Sequence, residues 1–218
     1  MKTSNIIIIS TIVVFIIGFA INAAGIKKMY DQTNWNDPYR NFTKHKLNKT
    51  FDRVYVFVSD STDHWNADSL SIKRGNDNVL MLENDPNIHW QATDSGLVIS
   101  LSQNAKGVLI TSRIKQVIVS RVSCRISNFD LDSLQLNVSK EFSGIDVSNS
   151  KINYLDVSVS DHGILSLDGY SKINKLNMAL RDGTFSSATY IPEVIQKITP
   201  HSHIKLCGNA LQWFAQKK

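Results

Sequence analysis

Three copies of one strand pattern, 21 residues apart, constrain this chain more than any other feature. They read Leu134-Gln-Leu136-Asn-Val138, Leu155-Asp-Val157-Ser-Val159 and Leu176-Asn-Met178-Ala-Leu180. Apolar and polar residues alternate in each copy, the period of a strand with one buried and one wet face. A fixed period of about 20 residues that carries strands and no helix points to a β-solenoid.

A shorter apolar run lies between the copies: Ile145/Val147 after Gly144, Leu165/Leu167 after Gly163, and Phe185 after Gly183. Val122/Cys124/Ile126 upstream and Ile204/Leu206 downstream hold the same phase. Each coil is therefore expected to carry two strands and two corners. Glycine suits the corners because it accepts positive φ. Stacked coils would pair in parallel about 4.8 Å apart and share one Leu/Val/Ile core, with capped ends. An antiparallel sandwich also shows short strands every 8 to 12 residues or so. The equal 21-residue steps and the recurring glycine phase favour the solenoid.

Residues Ile6 to Ala24 are almost wholly apolar, and no charge falls between Lys2 and Lys27. About 20 such residues span a bilayer as a helix. This segment reads as an uncleaved transmembrane anchor. The rival is a cleaved signal peptide, with Ile21-Asn22-Ala23 as a passable site. Lysines at Lys27 and Lys28 would hold the large domain in the cytoplasm by the positive-inside rule, but long following domains translocate largely regardless of charge. The domain is accordingly expected outside the cytoplasm, periplasmic or extracellular.

The expected organisation is an anchor or signal over 1–25, a polar tether over 26–50, the β domain over 51–207 and a C-terminal cap or tail over 208–218. Within the β domain the early strands, from Val54/Val56/Val58 to Leu97–Leu101, are separated by hairpin-like turns such as Asp94-Ser95-Gly96. They read as irregular first coils or a cap. Leu211, Trp213 and Phe214 are expected to cover the last coil.

Several short runs then carry a family resemblance. The leader ends in Lys27-Lys28-Met29-Tyr30-Asp31, the tether carries Asn36-Asp37-Pro38-Tyr39-Arg40-Asn41-Phe42, and the domain opens on Phe51-Asp52-Arg53-Val54 before the repeated Leu-x-Val-Ser strands. The chain resembles the putative auto-transporter adhesin head domain (GIN domain) proteins of Bacteroidetes-type bacteria, over residues 51 to 207 and the leader. The resemblance implies a right-handed parallel β-helix, a single-stranded solenoid that is exported or envelope-facing, with no established enzyme activity.

The sequence holds no P-loop, zinc spacing, nucleophile elbow or dinucleotide fingerprint. A 21-residue shift aligns Lys140 with Asp161 and Asp182, and Glu141 with His162. Asp161, His162 and Asp182 could do acid–base work as paired carboxylates do in polysaccharide-cleaving enzymes. Solvated corners with stacked opposite charges are the commoner use of such residues. His201 and His203 would point the same way on a strand, but two ligands fall short of a metal site. No cofactor is expected. The outward rows Gln135/Asp156/Asn177 and Asn137/Ser158/Ala179 could meet an envelope glycan or protein. With 24 basic against 19 acidic residues the net charge is +5. Part of this lies near the leader, where it suits a lipid surface. No basic face interleaved with aromatics suggests nucleic acid. Cys124 and Cys207 fall about four coils apart, roughly 19 Å at 4.8 Å per coil. They are expected to remain separate thiols, Cys124 in the core.

Overall fold

The computed structural model describes residues 14–28, 39–58, 69–102 and 104–212. The chain divides into two compact units, Met1–Asn41 and Phe42–Lys218. In the first unit, residues 14–28 are helical. Part of the expected anchor, 6–13, lies outside the described residues. No helix among the described residues is long and apolar enough to cross a membrane, so the expected transmembrane helix is not supported.

The second unit is built from strands. In chain order they are β1 (Phe42–Lys46), β2 (Arg53–Val58), β3 (Ser69–Arg74), β4 (Val79–Glu83), β5 (His89–Thr93), β6 (Gly96–Leu101), β7 (Lys106–Thr111), β8 (Gln116–Ser120) and β9 (Ser123–Ser127). There follow β10 (Asp130–Ser139), β11 (Gly144–Ser148), β12 (Lys151–Ser160), β13 (Ile164–Leu167), β14 (Lys172–Arg181), β15 (Thr184–Ser187), β16 (Glu193–Ile198) and β17 (His203–Leu206). A 3-10 turn, Gly208–Leu211, comes next.

The repeated strands form β10, β12 and β14, and they pair in parallel in the register that the sequence gives. Leu134 meets Leu155 and then Leu176, and Leu136 meets Val157 and then Met178. All six side chains are buried, because each alternate residue points into the core. The intervening strands β9, β11, β13, β15 and β17 pair in parallel in a second sheet. There Cys124, Ile145, Leu165, Phe185 and Ile204 form one inward row. From β8 to β17 the chain thus alternates between two sheets. One apolar cluster runs through the whole unit, from Leu47 and Phe51 to Ile191.

The earlier strands depart from this order. The sheets run β1-β4-β7-β3-β9-β11-β13-β15-β17 and β16-β14-β12-β10-β8-β2-β6-β5. The pair β2/β3 therefore sits between β6/β7 and β8/β9, and the chain skips over it on leaving β7. Backbone N–H groups of Lys115 and Gln116 donate to the Asp52 carbonyl at 2.7 and 3.0 Å across that step. Ile114 is buried beside it. The hairpin-like spacing is realised in β5 and β6, which are antiparallel with Gly96 at the turn in a positive-φ conformation. β4 is antiparallel to both β1 and β7. Part of the segment read as a polar tether is thus the edge strand β1, and Leu47 beyond it is buried. His45 and Trp90, one from each edge strand at this end, bring their rings to 5.1 Å.

Two local expectations need correction. Gly144, Gly163 and Gly183 are not the left-handed corner residues. That conformation falls instead on Arg121, Lys140, Asp161 and Asp182, with φ from 52 to 74°. Gly163 and Gly183 are small for another reason: a Cβ there would come to 2.7 Å from Val138 Cγ1 and 2.6 Å from Val159 Cγ1, respectively. At the other corner, Asn128 and Asn149 take positive φ, as asparagine does more readily than most residues. At the C-terminal end Leu211 is 53% exposed and Ala210 is buried instead. Trp213 and Phe214 lie outside the described residues.

Candidate binding groove

The corner after each long strand carries the residues singled out for chemistry. Asp161 and His162 follow β12, and Asp182 follows β14. Successive corners are tied through their backbones: Asp161 N–H donates to Arg181 O at 3.1 Å and His162 N–H to Asp182 O at 2.8 Å. Next along the stack, Asp182 N–H donates to Thr199 Oγ1 at 3.2 Å and Ser202 Oγ at 3.0 Å. His203 N–H donates to Gly183 O at 2.9 Å, which places His203 beside Thr184.

These bonds gather two sets of residues that the sequence left apart. His162, Asp182, His201 and His203 line one open groove of about 520 Å³, together with Ile164 and Thr184. Asp161 is not part of its lining; its carboxylate accepts from the neighbouring Ser160 hydroxyl at 3.1 Å. The groove therefore unites His162 with Asp182 but not the two carboxylates with each other. Glycoside hydrolysis needs two carboxyl groups flanking one bond. Asp161 and His162 are exposed, and Asp182 is half-buried. Nothing here excludes water as a closed catalytic pocket would. Among the described residues, no group of three His, Cys, Asp or Glu could hold a metal ion.

A second groove, about 380 Å³, crosses the outer face of the other sheet along Ser69, Ser71, Ser123, Gly144 and Ser166. The Arg125 guanidinium and the Asp146 carboxylate, 3.5 Å apart, stand in it. A Cβ at Gly144 would meet only Ile164 O and Ser123 Oγ, both at 3.8 Å, so packing inside the chain does not require glycine. Gly144, expected at a corner, opens the strand β11. The useful signal was its in-phase alignment with Ser123, one register position before the inward Cys124/Ile145 row.

The outward row Gln135/Asp156/Asn177 is a hydrogen-bonded ladder. Gln116 donates to Gln135 at 2.9 Å, Gln135 to Asp156 at 3.4 Å, and Asn177 to Asp156 at 2.7 Å. A parallel ladder links Asn174 to Asn153 at 2.9 Å and Asn153 to Asp132 at 3.2 Å. Parallel in-register pairing stacks like positions at one strand spacing, within reach of amide side chains. Both cysteines are free, Cys124 buried and Cys207 exposed, as the register demands. Burial pushes the Cys124 thiol far above its ordinary range, with a smaller push from the Asp146 charge.

Among solved structures, the chain is similar in fold to a putative adhesin from Bacteroides fragilis, at a TM-score of 0.53 and 14% identity. That match covers 77% of this chain and 93% of the other. Putative adhesins from Parabacteroides merdae and Parabacteroides distasonis also match, with TM-scores of 0.37 and 0.36 at 10% and 9% identity. They cover 76% of this chain each, and 95% and 96% of their own. No family model matches the chain, and no curated protein does.

Proposed function

We propose that residues 42–212 form a parallel β-helix, each coil giving one strand to each sheet, that acts without catalysis as a binding or structural module of the cell envelope. The observation that carries this reading is the in-register pairing from β8 to β17. It turns a 21-residue repeat into long, rigid, polar ladders open to solvent. Rigid elements present contact groups precisely, and the ordering cost of binding is lower for a preformed surface. The fold likeness to the putative adhesin from Bacteroides fragilis is consistent with adhesion as the kind of role. An envelope glycan or protein is the partner this reading takes.

The apolar N-terminal segment, in this reading, delivers the chain to a membrane, as an anchor or a cleaved signal. Large apolar side chains along the helical residues, such as Val14, Phe15 and Phe19, are exposed and would be satisfied by lipid. Protease accessibility of the β domain in spheroplasts tests this. Digestion without lysis is the expected result, and protection until lysis would place the domain in the cytoplasm.

The binding role is tested by screening the full chain, in detergent, against envelope polysaccharides and surface proteins, with both retention and cleavage as readouts. Retention without cleavage is expected. Turnover lost in the Asp161→Ala/Asp182→Ala double variant would replace this reading with a polysaccharide-acting enzyme.

A further inference from the structure

The strand β16 ends its sheet. It pairs with β14 on one side, and among the described residues no strand pairs with its other side. Thr199 N–H donates to Leu180 O at 3.0 Å, just beyond the paired residues. Backbone groups of successive strand residues point alternately to the two sides. Counting back from Thr199, the N–H and C=O groups of Val194, Gln196 and Ile198 face the open edge. Ile195 is 51% exposed at the middle of this strand.

The sequence along that edge is self-complementary. It reads Glu193-Val194-Ile195-Gln196-Lys197, with one acidic and one basic residue two positions either side of Ile195. We infer that β16 is a docking edge for a second copy of this chain, which adds its own β16 antiparallel about a two-fold axis at Ile195. The axis sets Ile195 against Ile195 of the second copy. Glu193 then faces Lys197 of the second copy, and Lys197 faces its Glu193. Val194 and Gln196 exchange backbone N–H···O=C bonds with Gln196 and Val194 of the other copy, through the groups already aimed outward.

Charge selects this arrangement over its competitors. A parallel pairing would set Glu193 against Glu193 and Lys197 against Lys197, and like charges directly opposite are unfavourable. A two-residue slip would leave both charges opposite apolar or hydroxyl side chains. Glu193 is held in place by Lys175, whose ammonium lies 2.5 Å from its carboxylate. Pro192 has no N–H, so the exchange of bonds stops after five residues. A two-fold contact closes on itself and gives dimers, whereas head-to-tail pairing would give filaments. The opposite edge of this sheet is β5, His89–Thr93, which offers no acidic match to Lys197.

A five-residue edge is small beside interfaces of roughly 1,200 Å² or more, so the dimer is weak and best caught by cross-linking. The experiment uses the full chain in detergent with Cys207→Ser, which leaves only the buried Cys124. Ile195→Cys and Lys197→Cys are compared under mild oxidation. Both positions are exposed, so neither change touches the core. Residues opposed in a non-hydrogen-bonded antiparallel pair have Cα atoms about 4.5 Å apart, inside disulfide range. Two residues at 197 would lie on opposite sides of the axis, roughly 13 Å apart at 3.4 Å per residue. A disulfide-linked dimer from Ile195→Cys, formed at least tenfold faster than from Lys197→Cys, is the expected result. Adding Lys197→Glu to Ile195→Cys should slow it several-fold. Equal cross-linking at 195 and 197, or none at 195, would overturn the proposal.

Discussion

The Lys115 ammonium sits 3.0 Å from the Asp52 carboxylate, at the step where the chain skips over β2/β3 to begin the regular stack. The hydrogen bond from the Lys115 side chain holds the Asp52 pKa below the ordinary value, against an opposing push from burial and aided by the Lys115 charge. A carboxylate with a depressed folded pKa stabilises the fold above its unfolded pKa of about 3.9 and loses that contribution as pH falls through the lower folded value. Lys115 is exposed and Asp52 half-buried at the surface, so water screens the pair and it is worth under about 1 kcal/mol. Asp52→Asn should therefore lower stability slightly at pH 7 and flatten the acid limb of a Tm-versus-pH curve below about pH 4. An unchanged acid limb would mean that the ion pair contributes nothing at this step.

The stacked row Leu136/Val157/Met178 allows a sharp contrast between the two sides of one strand. Val157 is 2% exposed between its two register partners. Val157→Asp would bury an unpaired carboxylate, at a cost of several kcal/mol. Ser158, its outward neighbour, should tolerate alanine within about 0.5 kcal/mol. Asp156 is also outward, but it accepts from Gln135 and Asn177, so Asp156→Ala should cost about 1 kcal/mol. Urea denaturation of the three variants gives the ranking directly. Equal losses at 157 and 158 would mean that the faces are reversed.

Alternation and period made the later strands legible, because a strand with one buried face must alternate, and strands 21 residues apart pair in register. Leu136, Val157 and Met178 could be placed against one another from spacing alone. The earlier topology was not legible. β6 and β7 lie outside β2 and β3, and nothing in a local pattern records which strand a later strand will pair with. Phe42–Lys46 reads as tether because Lys44, His45 and Lys46 mask an edge strand, whose charges protect an exposed edge. The groove was half legible. The 21-residue shift aligned Asp161 with Asp182, but the next step is shorter, and the turn through Thr199 and Ser202 brings His201 and His203 to the same groove.

Gly183 and Gly144, two of the in-phase glycines, should respond differently to a methyl group. At Gly183 a Cβ would lie 2.6 Å from Val159 Cγ1 and 3.0 Å from Val159 O, so Gly183→Ala forces a shift in the core. Overpacking of this kind costs about 1 to 3 kcal/mol. At Gly144 the new methyl would sit in ordinary contact, and alanine removes unfolded-state freedom. Gly144→Ala should be neutral or stabilising by up to about 1 kcal/mol. Thermal melts of the two variants decide it. A comparable drop in both would show that glycine at 144 serves the fold after all.

The two thiols should also separate cleanly. Cys207 is exposed, while Cys124 lies in the inward row with Ile145 on one side and Leu70 on the other. Thiolate is the reactive form, and burial pushes the Cys124 thiol away from it. A thiol reagent at pH 8 should label Cys207 within minutes and Cys124 only as fast as the core opens. Adding denaturant should release the second equivalent. In unreduced, alkylated protein, no peptide should link Cys124 to Cys207 within one chain, because three strands separate β9, which holds Cys124, from β17, which Cys207 follows. Such a peptide, or rapid labelling of both thiols in the native state, would break the register that orders β9, β11, β13, β15 and β17.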